Sequence, residues 1–95
     1  MESADAYRKK AKARLDEIGA KIDQLKAKAE QADADARIKA GQEIDQLKQR
    51  KQEMQTRLDK LKESGEAAFD EIKAGTEEAF KNLTSAVEKA ASKFN

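Results

Sequence analysis

Leu15-Asp16-Glu17-Ile18-Gly19-Ala20-Lys21-Ile22-Asp23-Gln24-Leu25 holds two pairs of large apolar residues, Leu15–Ile18 and Ile22–Leu25, each pair spanning two polar or small ones. The pairs begin seven residues apart, which is two turns of an α-helix, so all four side chains fall on one face. The same beat returns as Ile44–Leu47, Leu58–Leu61, Phe69–Ile72 and Phe80–Leu83, with successive pairs starting 7, 22, 14, 11 and 11 residues apart. Seven and eleven residues are two and three whole turns, so each pair comes back to nearly the same side. The chain therefore reads as helices that are apolar along one stripe and charged elsewhere. Such helices pack on each other, on a partner, or on lipid.

Working outward, the first segment extends the stripe over Tyr7, Ala11, Leu15, Ile18, Ile22, Leu25, Ala29 and Ala32, with Ser3 or Asp5 as its N-cap. Large apolar residues are missing between Leu25 and Ile38, and Asp33-Ala34-Asp35-Ala36 offers two further capping side chains. A turn is expected there, although an unbroken helix also satisfies the alanine-rich stretch. The second segment carries Ile44, Leu47, Met54, Leu58 and Leu61. Lys51 falls at the core position between Leu47 and Met54, where its stem is expected to lie along the seam and its amine to reach water. Glu63-Ser64-Gly65-Glu66 marks the next boundary: Gly65 suits a left-handed helix end, and Ser64 or a nearby acid suits the next helix start. In the third segment Ala68-Phe69-Asp70-Glu71-Ile72 is echoed eleven residues later by Ala79-Phe80-Lys81-Asn82-Leu83. Phe69, Ile72, Thr76, Phe80, Leu83, Val87, Ala91 and Phe94 then stay within about 100° of one another around the helix. All three phenylalanines lie there.

Composition agrees with this pattern. The 95 residues contain no proline and only four glycines, at 19, 41, 65 and 75. Strong helix formers dominate. Alanine supplies 18 of the hydrophobic residues and only 18 others are large and apolar. So few large residues are too thin a set to fill a globular core, so the expectation is an elongated helical object with a modest core, open to completion by self-association. Charged residues make up 41% of the chain and nearly cancel, at +1, which fits a solvated helix surface.

The expected fold is one all-α domain over 1–95, with helices at about 4–32, 37–63 and 66–93. It is either a three-helix bundle or an antiparallel helical hairpin with one junction fused, in both cases with coiled-coil-like packing. Charge favours an up-down-up order. Arg8, Lys9, Lys10, Lys12 and Arg14 near the start would then face Glu63, Glu66, Asp70 and Glu71 at the second junction.

Function is less legible. With no histidine and no cysteine the chain lacks the usual metal ligands, thiol nucleophile and neutral-pH base. The carboxylate pairs Asp16/Glu17, Asp33/Asp35 and Asp70/Glu71 are adjacent on helices and diverge. No enzymatic activity, cofactor or metal is expected. The basic run Arg8–Arg14 is short and offset by acids, so nucleic acid is not an expected partner. Residues 66–94 carry four lysines and six acids, a net −2, which sets an amphipathic, phenylalanine-bearing face against repulsion by anionic lipid. The start, Met1-Glu2-Ser3-Ala4-Asp5, has no apolar core, and no apolar run approaches the ~20 residues of a membrane span. A cytoplasmic protein is expected.

Leu61-Lys62-Glu63-Ser64-Gly65-Glu66-Ala67-Ala68-Phe69, then Lys73-Ala74-Gly75, Ala79-Phe80 and Leu83, resembles the C-terminal half of small bacterial coiled-coil proteins of unassigned function. The stretch Lys21-Ile22-Asp23-Gln24-Leu25-Lys26-Ala27-Lys28-Ala29 resembles their first helix. The resemblance implies an α-helical, self-associating protein and brings no active site. The eleven-residue repeat is also similar to those of exchangeable apolipoproteins and late-embryogenesis-abundant proteins. The leading expectation is a structural or interaction protein that binds copies of itself or partner helices. Its contacts would run through Leu15, Ile18, Ile22, Leu25, Ile44, Leu47, Met54, Leu58, Leu61, Phe69, Ile72, Phe80, Leu83, Val87 and Phe94. The alternative expectation is reversible binding to a membrane surface.

Overall fold

A computed structural model describes residues 3–63 and 65–94. Three helices of 27 residues each, α1 (Ala4–Glu30), α2 (Ala34–Lys60) and α3 (Glu66–Ser92), follow one another in the chain. Each is about 40 Å long. Laid side by side they make a rod of 50 × 18 × 16 Å. This is an all-α three-helix bundle, and the hairpin alternative is set aside: the chain turns at both junctions. The order is up-down-up, because Tyr7 near the start of α1 meets Phe69 near the start of α3, with ring centroids 5.9 Å apart and planes nearly perpendicular.

Local chemistry explains the helix limits. The Ser3 hydroxyl accepts from the Ala6 N–H at 3.1 Å, so α1 starts at the first expected cap. The Asp33 carboxylate does the same for Ala36 at 3.0 Å, while its carbonyl accepts from Arg37. Capping by Asp33 draws Ala34–Ala36 into α2, which therefore begins before the expected residue 37 and shortens the first turn to residues 31–33. At its other end α2 closes with tight three-residue bonds, Leu61 N–H to Leu58, Lys62 to Asp59 and Glu63 to Lys60. These satisfy the last free carbonyls without a left-handed residue. Gly65 accordingly has φ −75° and ψ 167°, extended backbone open to any residue, and serves as the N-cap of α3 without a side-chain hydrogen bond. The expected left-handed helix end at Gly65 is thus corrected; the expected cap at Ser64 lies outside the described residues.

The stripes meet in one core. Leu15, Leu58, Ile22, Phe80 and Leu83 are almost completely enclosed, and the smaller Ala11, Ala29, Ala40 and Ala90 fill between them. Burying each large side chain contributes about 1.5–3 kcal/mol relative to leaving it in water. The expected elongated object is what forms: a narrow rod whose modest core combines the large side chains of the three stripes with alanines between them. Among the described residues only Ile38, 63% exposed, is a large apolar side chain left outside. Thr76, fully buried at a stripe position of α3, returns its hydroxyl proton to the Ile72 carbonyl at 2.8 Å and so carries no unmet polar group inward.

Candidate functional site

The candidate site is the set of helix-packing residues and the polar rims beside them. On α1, Leu15, Ile18, Ile22 and Leu25 are all buried. On α2, Ile44, Leu47, Met54 and Leu58 are buried, and Leu61 just past its end joins them. On α3 the stripe is graded. Phe80, Leu83 and Val87 in its middle are buried, whereas Phe69 and Ile72 near its start and Phe94 beyond its end pack against the core only partly covered.

Polar straps cross the seams. The Arg14 guanidinium lies 4.2 Å from the Phe80 ring centroid and donates to both carboxylate oxygens of Glu77, at 3.0 and 2.7 Å. It roofs the most buried aromatic of α3 with a flat cation, one of whose terminal nitrogens is shared between the two oxygens of Glu77. Arg57 on α2 donates to the Gly75 carbonyl of α3 at 3.1 Å. Lys93 pairs with Glu43 at the far end. Lys12 and Asp59 face each other at 3.7 Å across α1 and α2. These pairs are solvent-reached, so each contributes about 0–1 kcal/mol and orients more than it stabilises.

The basic run near the start is largely spoken for. The Arg8 side chain is mostly covered, and its guanidinium donates to Asp5 at 3.2 Å, while Lys9 pairs with the same carboxylate at 3.5 Å. The Arg8 hydrogen bond first, and the Lys9 charge second, hold the Asp5 carboxyl below its usual value. Lys12 and Arg14 reach Asp59 and Glu77, not the expected Glu63, Asp70 and Glu71; the side chain of Glu66 lies outside the described part. The reason is vertical register: these cations sit about two to three turns into α1, level with residues set back from the second junction on α2 and α3. Lys73 instead places its ammonium 5.3 Å from the Tyr7 ring centroid.

Lys51 runs as its position in the stripe requires. Half-buried, it lays its stem over Gly19, so close that a β-carbon there would meet its amine at 2.9 Å. Nothing in the local pattern of either helix announces the Arg14–Phe80–Glu77 cluster, since its partners are 63 positions apart. The cue available for Lys51 was a lysine in a core register; none existed for the straps.

The carboxylates do not converge into a centre: among the described residues no group of three or more His, Cys, Asp or Glu side chains is placed to hold a metal ion. No described helix is long and apolar enough to cross a membrane. No family model, no curated protein and no solved structure matches this chain.

Proposed function

We propose that this chain works by contact and not by catalysis, as a structural or interaction module that associates with copies of itself or with partner helices through its apolar ridges. The observation that carries the reading is the graded face of α3. Its middle is covered by α1 and α2, while Phe69, Ile72 and Phe94 stay half-covered at the two ends of the same face. A helix whose apolar face is covered in the middle and half-open at its ends can add a further helix without first coming apart. Light scattering on the eluting protein, from micromolar to millimolar concentration, tests self-association. The mass is expected to rise with concentration, and Phe69→Ser with Phe94→Ser is expected to abolish the rise while helical circular dichroism persists. A constant monomeric mass for the unaltered chain would sink self-association.

The second reading is reversible binding to a lipid surface, favoured by the gathering of every phenylalanine on α3 or just past its end. For Phe80 to reach an interface, Arg14 must leave its ring and Glu77, so opening of the bundle would come first. Flotation with neutral and with anionic vesicles separates the two readings: protein that stays at the bottom with both removes the lipid one.

A further inference from the structure

The seam between α2 and α3 is built differently from the seam between α1 and α2. Toward α1, α3 turns Phe80 and Val87, whereas the edge it shows to α2 carries Ala79, Asn82 and Ala86. The small edge leaves an open groove of about 620 Å³, floored by Met54, Leu83 and these alanines. Its rim holds three cations, Arg50 and Arg57 on α2 and Lys89 on α3, against one carboxylate, Glu53. That is a local excess of two positive charges on a chain whose whole net charge is +1. Among the described residues Arg50 and Lys89 have no ion pair, and Arg57 spends one hydrogen bond on the Gly75 carbonyl.

We propose that this groove receives one amphipathic helix of a partner protein, with bulky apolar residues on its inner face and carboxylates on both flanks. The inference rests on the contact-module reading and names the class of partner. A helix fits because the groove runs along two antiparallel helices, and because Ala79 and Ala86 stand seven residues apart. Side chains two turns apart on an incoming helix would enter over them in step. Acidic flanks fit because Arg50 and Arg57 lie on one wall and Lys89 on the other. A second copy of this chain seated groove to groove would set one positive excess against another, which is unfavourable for an isologous contact.

The test uses the full chain and two synthetic helical peptides, labelled with fluorescein and identical in a leucine face. One has glutamates on both flanks and the other lysines. Anisotropy titration is expected to show saturable binding of the glutamate peptide and about tenfold weaker binding of the lysine peptide. The double variant Arg50→Glu with Lys89→Glu is expected to weaken the glutamate peptide about tenfold while keeping its melting temperature, because both residues are exposed. Amide shifts mapped on the unaltered chain are expected to cluster at Ala79, Asn82 and Ala86. Equal affinity for both peptides, or undiminished binding by the double variant, overturns the proposal. So does absence of binding up to millimolar peptide. If that absence comes with a mass that rises with concentration, the groove assignment fails while the contact-module reading stands. If anionic phospholipid vesicles and not the peptide perturb the groove, the assignment to a protein helix is overturned in favour of lipid.

Discussion

The α1–α2 pair and α3 are equal in length and opposite in how they are held. α1 and α2 are joined by residues 31–33, each begins on a side-chain cap, and their contact is the most extensive of the three. Ala11 on one helix and Ala40 on the other are buried with Leu15, Ile22, Ile44 and Leu58, and Gly19 leaves room for the end of the Lys51 side chain. α3 follows a longer connection, begins on a glycine without a capping side chain, and is the most apolar of the three in composition. It is secured by Phe80 in the middle and by Arg14, Arg57 and Lys93 as straps. The contrast teaches that apolar content alone does not give tight packing. Large rings among alanines hold a helix at a few points and leave a groove of about 620 Å³ between α2 and α3, against about 330 Å³ in the groove between α1 and α2 beside Gly19 and Lys51.

The largest test of that contrast places a charge in each part. Leu58→Asp puts a carboxylate in a fully enclosed position shared by the stripes. The expected cost of several kcal/mol is comparable to the ~5–10 kcal/mol that holds a small domain folded, so helical circular dichroism should collapse. Phe94→Asp, at the half-open end of α3, should leave the spectrum intact and lower stability by about 1 kcal/mol. Similar losses from both would break the distinction between a sealed hairpin and a graded third helix.

Next in size is a comparison within α3. Phe80→Ala removes an enclosed ring and should cost about 3–5 kcal/mol in chemical denaturation. Phe69→Ala, partly exposed and in T-shaped contact with Tyr7, should cost about 1–2 kcal/mol. Equal costs would mean that the grading of this face has no energetic counterpart.

Much of the fold was legible in the sequence for a simple reason. A helix repeats its geometry locally, so Leu15–Ile18 and Ile22–Leu25 announce a face without knowing what it packs on. The same periodicity put Lys51 in a core register, and it lies half-buried there. What was hidden depends on neighbours far along the chain. How the alanines of three stripes would combine with the thirteen large apolar side chains buried among the described residues depends on how the helices meet, which no single stripe encodes. The alkyl stem of Lys51 over Gly19 and the Arg14 roof over Phe80 are likewise set by vertical register between helices. The left-handed end expected at Gly65 failed because α2 satisfies its last carbonyls by tightening its final turn, an alternative that glycine content does not reveal.

A smaller effect is expected from the strap itself. Arg14→Ala deletes the cation over Phe80 and its pair with Glu77, both reached by solvent, and should cost about 1 kcal/mol by denaturation. Its sharper signature is kinetic: amide hydrogen exchange in α3 should speed up more than in α1 or α2, because the strap joins α3 to the rest. Uniform acceleration along the chain would show that α3 opens only with the whole bundle.

The finest test concerns how each helix starts. In α1 and α2 the third helical N–H, of Ala6 and Ala36, goes to the capping side chain, and the fourth, of Tyr7 and Arg37, goes to the cap carbonyl. In α3 no side chain is available, and the Ala68 N–H turns to the Gly65 carbonyl at 3.1 Å instead. Gly65 already has capping angles, and a β-carbon there would meet nothing within 4 Å. Gly65→Ser should therefore supply the missing acceptor without strain and restrict the unfolded chain, raising stability by about 0.5 kcal/mol and the melting temperature by about 2–4 °C. Asp33→Ala, the reverse change at the start of α2, should lower stability by about 1 kcal/mol. The serine should also slow amide exchange in the first turns of α3 and leave α1 unchanged. If it stabilises nothing, the looser hold on α3 comes from its seams alone and not from its first turn.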